Sequence, residues 1–273
     1  MTMTRRTLIG AAAGLMAVAS VPAAAAPKSR LIDERWTRHG SGADPEHGDW
    51  AAFLDKYLVT GTPGGVNLLR YGAAAKDRDG LKRYLDAMQA VEATALSRDA
   101  AMAYWLNLYN AVTVDLVLDD YPVDSIKEVR GGLFNTGPWG DEVVRVEGQD
   151  LSLDDIEHGI LRPVWRDPRI HYGVNCASIG CPNLAAEPYS APKLEAMLEA
   201  GARDYVNHAR GVSETSGGLV VSSIYIWFQE DFEDSDAGVI RHLNQYAAGA
   251  TKGIVEDATR IADDRYDWAL NDA

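Results

Sequence analysis

The stretch Tyr104–Leu118, YWLNLYNAVTVDLVL, decides the fold. Its apolar residues cover most of a helical circumference instead of one stripe, which is the pattern of a helix enclosed on all sides. A buried central helix over about 98–118 needs other elements wrapped around it. Its polar members, Asn107 and Asn110, then need partners inside, where they are suited to bracing a neighbouring loop. The pair Tyr121-Pro122 ends the helix, because the residue before a proline is driven out of the helical region.

Working outward, the spacing on the N-terminal side predicts two amphipathic helices. Leu81, Tyr84, Leu85 and Met88 share one face of Asp77–Gln89, and Trp50, Phe53, Leu54, Tyr57 and Leu58 share one face of Asp49–Leu58. A turn over Thr60–Gly65 lies between them. On the C-terminal side, a loop from Gly131 to Asp141 leads into a short strand over Val143–Glu147. Ser152 caps a helix that carries Glu157 and His158 and stops before Pro163. Arg169–Asn175 alternates as a strand, with Ile170, Tyr172 and Val174 on one face and His171, Gly173 and Asn175 on the other. Ser190 caps a helix running to about His208. Leu219–Phe228 begins as a strand, and Asp236–Ala248 is helical. Helices and strands interleave without a repeat, so the reading is a single α+β domain, largely helical, with a small mixed or antiparallel sheet.

The first residues, MTMTRRTLIGAAAGLMAVASVPAAAAPKS, place Arg5 and Arg6 before an apolar run that ends in small residues. That pattern predicts a signal peptide over 1–25 of the twin-arginine type, cleaved after Ala25, and a mature protein that is periplasmic or secreted. Residues 26–72 form an N-terminal helical extension to the main α+β domain at 73–273. After the leader, no apolar run is long enough for a transmembrane span. The whole chain of 273 residues carries a net charge of -14. An acidic surface of this size disfavours nucleic acid and anionic membrane and points to no particular substrate. The partner expected is an unidentified small molecule or an envelope protein or peptide.

The chemistry concentrates in His171–Leu184, HYGVNCASIGCPNL, which holds both cysteines of the chain, Cys176 and Cys181. Three readings stand. Cys176 can be a nucleophile, with His171 or His158 as base, Glu157 beside the base, and Asn175 orienting it. That set belongs to a cysteine-dependent hydrolase or acyl transferase acting on an amide or thioester. Papain and transglutaminase use a Cys-His-Asn set, but there the cysteine precedes the histidine, and here both histidines come first. The alternative is an envelope binding or scaffold protein with a structural Cys176–Cys181 disulfide, natural for two cysteines in an exported chain. A zinc site built from both thiolates, His158 and His171 is the minor reading; no other cofactor is expected. Trp105, Trp227 and Trp268 are assigned to the core. Gln229, Glu230 and Asp231 are either a polar turn or the wall of a cleft. His39, His47, His208 and His242 fall in no recognisable constellation.

The segments YWLNLYNA, LSLDDIEHGILR, DPRIHYGVNCASIGCPNL, SIYIWFQEDF and YDWALN resemble, in wording and order, the family catalogued as domain of unknown function 547. The resemblance spans about Leu81 to Asn271. It implies that these segments share one domain, and it names no reaction.

Overall fold

The computed structural model describes residues 27–130 and 137–273. The segment assigned as a signal peptide and the first part of the Gly131–Asp141 loop lie outside them. In chain order the helices are α1 (Gly48–Tyr57), α2 (Tyr71–Ala74), α3 (Asp79–Gln89), α4 (Arg98–Asp120), α5 (Arg162–Trp165), α6 (Ile170–Gly173), α7 (Leu194–Val206), α8 (Ile224–Trp227), α9 (Asp236–Tyr246) and α10 (Gly249–Glu256). The strands are β1 (Leu58–Val59), β2 (Leu68–Leu69), β3 (Val144–Val146), β4 (Gln149–Leu151), β5 (Val212–Thr215), β6 (Gly218–Ser222) and β7 (Ile261–Arg265). The architecture is α+β, as the residue pattern predicts.

Helix α4 is the axis of the larger core. The Ser97 hydroxyl accepts the Ala100 N–H at its start, and from Ala100 to Leu118 every residue except Asp115 is buried. Helix α3 packs on it, with the Tyr104 hydroxyl donating to the Met88 carbonyl at 3.0 Å. Helix α1 packs on α3, bringing Trp50 into a stack with Tyr84 at 6.0 Å. Trp36 meets Trp105 edge-on at 5.2 Å, so residues well before α1 belong to the same core.

A second, smaller core lies between α7, α9 and the three-stranded sheet. In that sheet β6 pairs antiparallel with β5 and parallel with β7. The remaining strands form two short antiparallel hairpins. The β3–β4 hairpin turns through Glu147 and Gly148, both at positive φ, which matches the right-handed twist of the strands it joins.

Three local expectations are corrected. Ile170–Gly173 is a helical turn, not a strand: Val174 N–H closes on the Ile170 carbonyl at 3.1 Å, and all four residues are buried, so no polar face opposes an apolar one. Next, the helix begun at Ser152 runs past Pro163 to Trp165. It does so through a π-helical stretch, Asp155–Leu161, in which Arg162 N–H reaches the Glu157 carbonyl five residues back. Pro163 has no N–H to offer the carbonyls of His158 and Gly159, and the N-terminal strap supplies substitutes. Arg30 N–H donates to His158 O at 2.9 Å and Ile32 N–H to Gly159 O at 3.2 Å. Finally, Trp105 is core, but Trp227 and Trp268 are only half-buried, because they lean on each other and on Tyr266 at the rim.

Candidate functional site

The cysteine loop is held from three directions. From α4, the Asn110 side chain donates to the Gly173 carbonyl at 2.9 Å and accepts the Asn175 N–H at 2.8 Å. Asn107 does the same further along, bonding the Tyr189 carbonyl and N–H. Within the loop, Asn175 spans its own turn, donating to the Pro182 carbonyl and accepting the Ala177 N–H. From the C-terminal tail, the Ala269 carbonyl accepts Ile179 N–H, the Asp267 carbonyl accepts Gly180 N–H, and Asn271 N–H donates to Ala177 O. The approach at Gly180 is close enough that a Cβ would sit 2.8 Å from the Asp267 backbone, which only glycine allows.

This framework puts the two thiols side by side. Both cysteines are free, with their sulfurs 2.7 Å apart; Cys176 is half-buried and Cys181 is buried. The Cys181 sulfur also accepts the Cys176 N–H at 2.9 Å and the Tyr266 hydroxyl at 3.2 Å. Around Cys176 stand the Ser178 hydroxyl at 3.3 Å and the Tyr266 hydroxyl at 2.9 Å. Burial raises both thiols. For Cys181 the bonds from the Cys176 thiol, Tyr266 and the Cys176 N–H outweigh burial and hold it below the ordinary thiol value. For Cys176, burial and the neighbouring Cys181 sulfur both push upward, so one proton stays on this side of the pair. Tyr266 carries the site outward: its ring packs on Trp227 at 4.8 Å and Trp268 at 4.6 Å. Trp139 meets Trp268 at 5.6 Å, and the Lys127 ammonium lies 3.9 Å from the centre of the Trp268 ring.

The histidines belong to a different neighbourhood. His171 Nε2 is 2.7 Å from an Asp231 oxygen, its Nδ1 is 3.7 Å from Glu157, and its ring stacks on Phe228 at 4.5 Å. His158 Nδ1 accepts from Arg162 at 3.0 Å, and burial lowers its pKa. The guanidinium of Arg162, with 1% of its side chain exposed, donates to Asp231 at 2.6 Å, to Glu230 at 2.7 Å and to the Pro27 carbonyl at 2.8 Å. Asp231 also lines a cleft of about 280 Å³ with Asp167, Arg169 and His242. Thus the structure brings Glu157, His158 and His171 together, and brings Cys176, Cys181 and Asn175 together, but joins the two groups by no hydrogen bond. The Cys2His2 arrangement required for zinc is not assembled, since both histidines are committed to Asp231, Glu157 and Arg162. Among the described residues no cluster of three or more potential metal ligands is present.

Tyr266 and Arg210 escape sequence reasoning. They lie far along the chain from the cysteines and in no motif, so only the fold reveals them. Arg210 packs against the Tyr205 ring at 5.5 Å; burial lowers its pKa, and Tyr205, Asp204 and Cys181 are the main groups that act against that. Its three guanidinium nitrogens are buried and lack hydrogen-bond partners, so among the described residues it pairs with no carboxylate.

The fold and site define a largely helical α+β protein with a vicinal pair of thiols at the meeting of a central helix, a loop and the C-terminal tail. Residues 93–206 match the family model described as Protein of unknown function, DUF547, and the chain is a DUF547 domain-containing protein. The matched segment includes α4, both cysteines, Glu157, His158 and His171; Arg210, Asp231 and Tyr266 follow it. No curated protein and no solved structure matches the chain. No helix among the described residues is long and apolar enough to cross a membrane.

Proposed function

We propose that this is an exported envelope binding protein that carries a Cys176–Cys181 disulfide in place of an acyl-transfer thiol. The observation behind this reading is that each sulfur's nearest polar partner is the other sulfur or a hydroxyl, with no imidazole bonded to either. A cysteine nucleophile needs a base within hydrogen-bond reach, and His171 and His158 are engaged elsewhere. The twin-arginine-like leader supports delivery to a compartment where such a pair oxidises. The half-exposed rings of Trp139, Trp227, Trp268 and Tyr266 beside the pair support binding, since aromatic side chains at a surface are typical contact residues.

The test is the intact mass of protein recovered from the periplasm of an exporting host, alkylated before and after reduction. The expected result is no label before reduction and two labels after it. Label at Cys176 without reduction, with a reactivity midpoint well below the ordinary thiol range, would return the thiol-enzyme reading.

A further inference from the structure

We infer that the Cys176–Cys181 bridge exchanges with thiols, Cys176 being the sulfur attacked and Cys181 the leaving thiolate. This inference rests on the disulfide reading above and names the class of reactant: a thiol-bearing peptide or small thiol.

Four observations carry it. The first is redundancy. The loop is already fixed by Asn110, Asn175, Tyr205, whose hydroxyl donates to the Gly180 carbonyl at 2.6 Å, and three backbone bonds to the tail. A bridge across so short a loop adds little constraint to the unfolded chain, so a purely structural role gains little from it. The second is asymmetry of access: Cys176 is half-buried and Cys181 is only 4% exposed, so an incoming thiolate reaches one sulfur.

The third observation is preparation of the leaving group. The Cys176 N–H and the Tyr266 hydroxyl both point at the Cys181 sulfur and solvate it as a thiolate. The fourth is charge. The Arg210 guanidinium is buried and bonds to no carboxylate among the described residues. It packs on the ring of Tyr205, whose hydroxyl holds the Gly180 carbonyl next to Cys181, and Asp204 and Cys181 are among the groups that favour its charge. A buried guanidinium with no bonded counter-ion is stabilised further when Cys181 becomes anionic. Stabilising the reduced form makes a disulfide a better oxidant.

The exchange balances as follows. A partner thiolate attacks Cys176 Sγ, forming a mixed disulfide as the Cys176–Cys181 bond breaks and Cys181 leaves with the electron pair. A second partner thiolate then attacks the partner sulfur of the mixed disulfide and releases Cys176 as thiolate. The protein gains two electrons, and the two partner thiols become one disulfide.

The experiment equilibrates the full-length mature protein with buffers of reduced and oxidised glutathione, quenches with acid and alkylates for mass analysis. The expected result is a pair that passes from oxidised to reduced within the accessible glutathione range. Cys181→Ser should accumulate a glutathione adduct on Cys176, whereas Cys176→Ser forms little. Arg210→Gln, checked for a native thermal transition, should require about tenfold more reducing buffer at the midpoint. A pair that stays oxidised across the whole range, with no adduct in Cys181→Ser, overturns exchange and leaves a structural disulfide. A pair that stays reduced in excess oxidised glutathione overturns the disulfide reading itself.

Discussion

The side-chain oxygen of Asn110, in the middle of the central helix, accepts the backbone N–H of Asn175, the residue before Cys176, at 2.8 Å. The same side chain donates to the Gly173 carbonyl at 2.9 Å, so one buried amide fixes both ends of the turn that delivers the thiol. Asn110→Ala removes both partners and leaves a buried N–H and a buried carbonyl without bonds. The expected loss is about 2–4 kcal/mol in urea unfolding, at roughly 1–3 kcal/mol per unsatisfied group less what relaxation recovers. Asn110→Asp keeps the acceptor but sets a carboxylate against the Gly173 carbonyl, and should be no better. A loss below about 0.5 kcal/mol for Asn110→Ala would show that the loop does not depend on this contact.

Gly180 and Asp267 give a second test, on the tail side of the loop. A methyl group at 180 meets the Asp267 backbone at 2.8 Å, so Gly180→Ala must push the tail away and weaken the bond from Gly180 N–H to the Asp267 carbonyl. Overpacking of this kind costs about 1–3 kcal/mol. Because Tyr266 is next in the chain, its hydroxyl should move with the tail. The reduced variant is expected to alkylate faster at Cys181 than the reduced parent does, as its shield opens. Equal rates, with stability unchanged, would mean that the tail does not set access to the thiols.

The Arg162–Asp231 pair tests what joins the two cores. Arg162 belongs to the helix that follows the π-helical stretch, and Asp231 lies just past α8. Their contact at 2.6 Å is nearly dry on the arginine side. Burial raises the Asp231 carboxyl, but the bonds from His171 and Arg162 outweigh it and keep the group below the ordinary carboxylate value. Asp231→Asn leaves His171 and Arg162 facing a neutral amide, and Arg162→Met strands two acids. Each single change is expected to cost about 3–5 kcal/mol, and the pair Arg162→Met with Asp231→Leu less than the sum. Single variants within about 1 kcal/mol of the parent in urea unfolding would show that solvent already screens the pair.

How far the sequence could be read follows from the range of each interaction. Helix α4 is legible because nineteen consecutive positions with one partial exception obey a local rule, enclosure on every side. The amphipathic α1 and α3 are legible for the same reason. Residues 169–175 mislead because alternation over seven positions records two faces only when one of them is solvated, and here both are buried. The error then spreads to chemistry. On a strand, His171 and Asn175 share a face, whereas here the helical turn ends at Gly173 and the chain runs extended through Val174, so His171 goes to Asp231 while Asn175 belongs to the cysteine loop. The passage through Pro163 depends on Arg30 and Ile32, more than 120 residues upstream, and nothing local announces them. Tyr266 lies just past the end of β7 and Arg210 just before the β5–β6 hairpin; the meeting of Tyr266 with Cys181 and of Arg210 with Tyr205 is a property of the packed chain alone.

Acid sensitivity offers the last test, and its sign can be worked out from His242. Its Nε2 meets the Tyr172 hydroxyl at 2.8 Å, Phe232 stands edge-on at 4.8 Å, and Tyr246 covers it at 5.1 Å. Burial first, then the nearby His171, lower its pKa from 6.5 to about 4, while Asp167 and Arg169 act in opposite directions. Between those values the unfolded chain binds the proton and the folded chain does not, so stability falls as pH drops from about 6.5 toward 4. Over the full interval this amounts to on the order of 3 kcal/mol. His158, lowered by burial, contributes with the same sign. Asp154, raised to about 6 by burial and by Glu157, works the other way, but a third of its side chain is exposed and solvent weakens its effect. Urea unfolding of the parent and of His242→Gln at pH 7, 5.5 and 4.5 isolates the histidine. Glutamine keeps an acceptor for Tyr172 but cannot titrate, so the variant should start less stable at pH 7 and lose less on acidification. Parallel curves for the two proteins across that range would place the acid sensitivity elsewhere.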